Sequence, residues 1–232
     1  MIGISAAAQN VAPPTEPPPE QTVPTKKVVD TVKYSFIPSG LRIGTDVLSL
    51  IKAATSRDYR GWEMNADVDV YKYYLAVDYG SWGKTFSSTE RQYENSGNYF
   101  RVGFDVNLLK KDPDHNMIFL GARYASSTFW ERLHTSITDP IYGSINDVTY
   151  YNPNVSAHWV EAVTGIRIKI WNGLWLGYTA RLKFGLSTSN SPEMVPAEVP
   201  GYGYNNGQTW GFNYQVFWRI PFKSDQSVTP KK

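Results

Sequence analysis

The chain has no cysteine, which excludes disulfides, thiolate metal sites and a lipid-modified N-terminal cysteine. It has no run of 18 apolar residues, so no transmembrane helix is encoded. Charge of one sign is missing too: 23 Lys and Arg stand against 21 Asp and Glu, which points to neither nucleic acid nor an acidic tail. Histidine is scarce, with three in the chain, and no His cluster has metal-ligand spacing. No cofactor is implied. What the sequence has in quantity is aromatic surface, with eight Trp, 16 Tyr and ten Phe. Tyr and Trp carry an apolar body and a polar tip, and they collect at membrane–water interfaces. The negative mean hydropathy is no objection, because a polar barrel interior offsets an apolar exterior in any average.

From Gly40 onward, eight stretches of about ten residues alternate apolar with polar, as a strand with two unlike faces must. Their length suits a tilted membrane-spanning strand. The last, 209–222, is the clearest. Trp210, Phe212, Tyr214, Val216, Trp218, Ile220 and Phe222 fill its even positions, against Gly211, Asn213, Gln215, Phe217, Arg219 and Pro221. The other seven are predicted at 41–50, 62–71, 73–80, 100–108, 118–125 (with a continuation to Trp130 and Glu131 left open), 160–170 and 174–186.

Pooled, the polar faces carry Arg42, Arg101, Arg123, Arg167, Lys169, Arg181, Lys183 and Arg219. They also carry Asp46, Glu63, Asp67, Asp69, Asp78, Asp105, Glu131 and Glu161. Acids concentrate on the second segment and bases on the sixth and seventh. A soluble sandwich or lipocalin-like barrel would turn the apolar faces inward and leave these charges free in water. An eight-stranded membrane barrel would enclose them in a lumen just wide enough for side chains, where buried charges must be paired. The balanced sign favours the second arrangement. So do interleaved glycines on the same face (Gly44, Gly103, Gly121, Gly165, Gly177, Gly185 and Gly211), expected to make room for a neighbouring strand's arginine. No diffusive pore is expected through such a lumen.

Connections alternate in length. Short turns are predicted at Tyr71-Lys72, at Trp171-Asn172-Gly173 (where Asn-Gly marks a tight hairpin) and at 110–116. Long loops are predicted at 52–61, 81–98, 126–157 and 187–208. This is the outer-membrane pattern, and it places both termini on the periplasmic side. Aromatics at segment ends, among them Trp62, Tyr73, Trp171, Trp210 and Trp218, read as interfacial girdles, or as ordinary β-propensity. Ala6-Ala7-Ala8 resembles a signal cleavage site without its basic start, so 1–8 reads as a residual signal-like segment. Six prolines between Pro13 and Pro24 make 9–35 a disordered, extended periplasmic linker. The barrel is assigned to 36–222 and a periplasmic tail to 223–232.

Gly211, Tyr214 and Val216, running to Phe222, resemble the C-terminal signal read by the outer-membrane barrel-assembly machinery, although ten residues follow it. The whole resembles the small OmpA/OmpX-type barrels. The stretch Phe36-Ile-Pro-Ser-Gly-Leu-Arg-Ile-Gly-Thr-Asp46 with the acidic second strand also resembles an uncharacterised family of Bacteroidota outer-membrane proteins. These resemblances imply a compartment and the lipid bilayer as surroundings, but no activity.

Two functions follow. One is a non-enzymatic envelope component, structural or binding a protein partner through its extracellular loops or periplasmic tail. The other is a lipid-modifying enzyme of the lipid A deacylase or acyltransferase type. There, His134 with Ser136 and Asp139, or His158 with Ser156, would have to form a base–nucleophile pair; His115 sits in a short turn. A cation on Glu63, Asp67 and Asp69 would require that they lack basic partners. The loop 187–208, rich in Pro, Tyr and Asn, is the most distinctive stretch expected at the surface.

Overall fold

The computed structural model describes residues 38–222 apart from 71, 110–111, 139–142, 144 and 190–193. The segments 1–8, 9–35 and 223–232 lie outside the described residues. Eight long strands carry the fold: β1 (Gly40–Asp46), β2 (Tyr59–Val70), β3 (Tyr73–Ser87), β4 (Arg91–Asn107), β5 (Met117–Thr138), β6 (Ile145–Trp171), β7 (Leu174–Thr188) and β10 (Gln208–Pro221). Each pairs antiparallel with its neighbour in this order, and β10 returns to β1, with Arg42 opposite Arg219 and Asp46 opposite Gln215. The sheet is therefore a closed eight-stranded ring with no free edge. One helix, α1 (Val47–Thr55), and a two-stranded hairpin, β8 (Glu198–Val199) with β9 (Gly203–Tyr204), complete the described elements.

The period-2 pattern sorts side chains as the sequence predicts. On β2, Glu63, Asn65, Asp67 and Asp69 are buried inside the ring while Trp62 and Met64 are exposed. On β3, Tyr73, Leu75, Val77 and Tyr79 point out, and Tyr74, Ala76 and Asp78 point in. The outer wall is thus apolar, and the interior holds the charged side chains together with buried aromatic and aliphatic ones. Tight turns lie where expected between β2 and β3 and between β6 and β7. At the second of these Gly173 adopts φ +86°, a conformation open to glycine.

The first strand is a correction. The expected strand at 41–50 ends at Asp46, and Val47–Thr55 is helical. Alternation fails there because Val47, Leu48, Leu50 and Ile51 are all apolar, and Leu, Lys and Ala favour helix. The expected long loops at 81–98 and 126–157 are mostly strand. β3 and β4 stay paired to Ser87 and Gln92, and β5 and β6 to Thr138 and Ile145, with a bulge between Phe129 and Glu131. These two hairpins extend the ring well beyond its other end.

The glycines make room chiefly for aromatics rather than for arginine. Phe217, fully buried, lies between Gly44 and Gly177, where added Cβ atoms would sit 2.4 Å and 2.8 Å from its ring. Arg167 then stacks on Phe217 and Phe119, 4.6 Å and 4.9 Å from the ring centroids, so the glycines act on the cation through an aromatic ring. Of the seven, Gly211 faces a cation directly, Lys183 rather than an arginine, and Gly40, outside that set, faces Arg219.

Candidate functional site

The interior is organised as two ion-pair clusters stacked along the axis. Nearer the short-turn end, Asp67 bridges Arg42 and Arg167. The Arg42 Nε donates to its Oδ1 at 2.7 Å, and Arg167 Nη1 donates to Oδ2. Arg167 reaches on to Asp105 at 3.6 Å, and Arg123 Nη2 donates to Asp105 at 2.7 Å. Above them, Arg101 donates to Glu63 at 2.7 Å and to Glu161 at 3.0 Å. Arg181 donates to Glu161 at 2.9 Å and to Asp78 at 3.0 Å. The lower cluster has three cations for two carboxylates and the upper two for three, so they offset one another. All ten side chains are buried. An ion there is tolerable only with partners of opposite charge and filled hydrogen-bond positions. Arg101, Arg167 and Arg181, whose forks each reach two carboxylates, supply the opposite charge, while Asp105 Oδ1, Arg123 Nε and Arg167 Nε have no hydrogen-bond partner among the described residues.

The remaining members of the expected network lie apart. Among the described residues Asp46 has no ion-pair partner; it accepts from Ser49 Oγ, Asn213 Nδ2 and the Tyr214 amide at 2.6, 3.0 and 3.0 Å. Asp69 closes the short-turn end, accepting from Ser39 and from the Gly40 amide, with Arg219 3.5 Å away. Lys169 does not belong to the lumen network: its ammonium lies at the ring's end, 2.9 Å from the exposed Asp114. Its strand runs past the last full turn of the ring there, so the side chain meets solvent. Glu131, further up, accepts from Tyr93 at 2.9 Å and has no basic partner among the described residues. Burial pushes its carboxyl above the usual range despite that bond.

Of the stretch 187–208, expected at the surface, the part around the β8–β9 turn instead enters the ring and is a second correction. Val199 and Tyr202 are buried with Tyr99, Phe129, Val155 and Trp159. Pro200-Gly201 forms the tip, with Gly201 at φ +80° and its Cα so close to Tyr99 that an added Cβ would sit 2.5 Å from the ring. The Gly201 carbonyl accepts from Arg101 Nη2 at 2.9 Å and Lys183 Nζ at 2.8 Å, and Lys183 also donates to the Tyr202 carbonyl at 3.0 Å. Lys183 is thus held by backbone oxygens rather than by a carboxylate. Lys84 Nζ donates to Glu198 Oε1 at 2.5 Å, tying the hairpin to β3. Partial burial opposes the charge on Lys84, but Glu198 outweighs it and raises the pKa. One sequence signal marked this plug: a Pro-Gly turn dipeptide amid Val and Tyr.

The catalytic candidates are not brought together. His134 Nδ1 is 3.0 Å from Thr149 Oγ1 and Ser136 Oγ donates to Asp147 at 2.7 Å, so each is engaged elsewhere. Asp139 lies outside the described residues. His158 stacks on Tyr124, whose hydroxyl is 3.0 Å from its Nδ1, while Ser156 meets Ser189. Glu63, Asp67 and Asp69, considered for a cation, are occupied by the arginines and backbone amides above. Among the described residues no group of three His, Cys, Asp or Glu side chains could hold a metal ion. Of the residues that resemble a C-terminal assembly signal, Tyr214 faces out, Gly211 abuts Lys183, Val216 pairs with Thr45, and the Phe222 amide donates to the Ser39 carbonyl at 3.0 Å.

No curated protein matches this sequence. A family model described as a domain of unknown function, DUF6048, matches residues 2–225. That is nearly the whole chain, and the protein belongs to this family.

Proposed function

We propose that the protein is an integral outer-membrane barrel of the small OmpA/OmpX type, with a closed, charge-balanced lumen. It serves as a structural or partner-binding component of the envelope, without enzymatic activity. The observation that carries this reading is the outer wall. Around the ring, Leu75 and Val77, Phe100 to Phe104, Ile118 to Tyr124, Val160 to Ile170 and Trp210 to Ile220 present exposed apolar side chains at every outward position except Thr164 and the half-buried Val216. Exposed apolar area on this scale has no stable place in water. Its height, nine residues on β2 from Trp62 to Val70, is about 20 Å along the axis at the tilt of such strands. Above Tyr124 and Phe100 the outward row turns to Ser126, Thr128, Asn98 and Ser96, as a strand leaving a bilayer should.

In this reading the extended β3–β4 and β5–β6 hairpins are extracellular, and both termini are periplasmic. The row Gly211, Tyr214, Val216 and Phe222 addresses the chain to the assembly machinery. Working surfaces are then the hairpin end or the tails, because the ion clusters and the inserted hairpin close the lumen. The test is fractionation with heat-modifiable gel mobility, using Leu120→Arg on the wall. The expected result is membrane-bound protein whose folded band disappears in the variant, since Arg near a bilayer midplane costs about 2–4 kcal/mol. Protein that stays monomeric in buffer without detergent refutes the proposal.

A further inference from the structure

Below the inserted hairpin the inward face is charged; above it the same face changes character. On β3, β4 and β5 the inward positions at the hairpin end are Phe86, Tyr93 and Leu133. Polar residues there would meet water freely, so apolar ones are unexpected. With Met194 and Val195 of the stretch leading into β8, they wall an open groove of about 330 Å³. Phe86 and Val195 are 61% and 65% exposed, whereas Met194 is buried and floors it. The volume is within the range of small-molecule sites, and the lining is overwhelmingly apolar.

The charges on the groove are unequal in availability. Lys84 and Glu198 neutralise one another at 2.5 Å. Glu131, beneath, is engaged by Tyr93 and Asn152. Arg91, at the mouth, has no side-chain hydrogen bond or ion pair among the described residues. An apolar slot with one guanidinium at its opening that is unpaired among the described residues complements a chain with a single anionic head, because Arg binds carboxylates through a planar fork. A wholly apolar ligand would leave Arg91 unused, and a cationic one would be repelled by it.

We propose that this groove binds a medium-chain fatty acid, its alkyl chain along Phe86, Leu133 and Val195 and its carboxylate on Arg91. The proposal rests on the inner face of the hairpin end and is independent of what surrounds the outer wall. The test is equilibrium dialysis of radiolabelled dodecanoate against the full chain in lipid nanodiscs, with empty discs subtracted and the pH well above the carboxylate range. Dodecanol and dodecyltrimethylammonium serve as neutral and cationic probes. Saturable binding of one dodecanoate per chain is expected. Dodecanol should bind about tenfold more weakly, the factor carried by one charge-assisted hydrogen bond. Arg91→Gln should bring dodecanoate down to the dodecanol level, and Val195→Asp should abolish both; both positions are exposed, so folding is spared. Absence of saturable dodecanoate binding, equal binding of the alcohol, or an unaffected Arg91→Gln variant overturns the proposal. Failure to enter nanodiscs would count against the membrane reading instead, and the titration would then be run in buffer.

Discussion

Glu161 joins the two arginines of the upper cluster, and replacing it with Gln tests whether the lumen is held by charge or merely filled. Its Oε1 accepts from Arg101 Nε at 3.0 Å and from Trp159 Nε1 at 2.7 Å, and its Oε2 accepts from Arg181 Nη1 at 2.9 Å. The glutamine has the same shape, so no cavity opens. One arm becomes an NH2 group, however, and must face an N–H donor whichever way the amide is turned. At least one hydrogen bond to a charged group is lost, worth about 1.5–3 kcal/mol. Removing one partner of a buried pair costs about 3–5 kcal/mol in general. Here Glu63 and Asp78 still face Arg101 and Arg181, so the lower end, about 3 kcal/mol, is expected. Against a total stability of about 5–15 kcal/mol that is readily measured by urea unfolding in lipid, followed through the mobility difference between folded and unfolded bands. A variant within about 0.5 kcal/mol of the parent protein, the scatter of a neutral substitution, would refute the reasoning. It would mean that water or side-chain movement satisfies both arginines without Glu161.

Phe217→Ala should cost about 3–5 kcal/mol by the same unfolding assay, the usual cost of a large cavity in a core, and it also removes a face on which Arg167 stacks. Gly103→Ala should destabilise by at least about 1–3 kcal/mol through overpacking, because the new Cβ would lie 1.9 Å from the Ala122 carbonyl oxygen across the β4–β5 pair; normal folded-band stability would refute it. For Glu131 the native carboxyl is raised by burial, so the folded state holds its proton over a pH range where the unfolded chain has lost it. Stability therefore falls as pH climbs from the ordinary carboxylate value through the native one, and Glu131→Gln should flatten that slope in unfolding measured across mildly acidic to neutral pH.

The ring itself was legible because a period of two needs no partner to be seen. Trp210 to Ile220 on β10 and Leu174 to Leu186 on β7 sort to the outer wall as their alternation requires. Charged lumen residues followed as a set, since buried acids and bases must match, but their pairing did not. Asp67 meets Arg167 across 100 residues of sequence, and no local rule selects that arginine over Arg181. The strand ends were less legible for a different reason. Outside the apolar band, both faces of β4 and β5 become polar or mixed, as in Asn95, Ser96 and Asn98. Alternation of hydrophobicity then vanishes although the backbone pairing continues. At 47–55 the failure was the opposite: apolar residues at consecutive positions could extend a strand or start a helix, and only the closing register of β1 at Asp46 decides between them.

The inserted hairpin explains why charge placement and lumen closure are one problem. Arg101 directs two of its nitrogens to Glu63 and Glu161, which leaves Nη2 pointing toward the hairpin end. Lys183, one layer higher on β7, has no carboxylate within ion-pair distance among the described residues. Left open, the ring would hold two incompletely satisfied cations at its wide mouth, and water would have to enter to solvate them. The Gly201 carbonyl accepts from both, and the lack of a side chain at Gly201 lets that backbone reach past Tyr99. An alanine there would meet the Tyr99 ring and also carry the strain of a positive φ. The turn would then withdraw and expose Arg101 and Lys183 together, so closure of this end depends on one glycine and two cations rather than on the area of the hairpin. The hairpin's outer side, freed from that task, is where the inward face can afford to become apolar at Phe86 and Leu133.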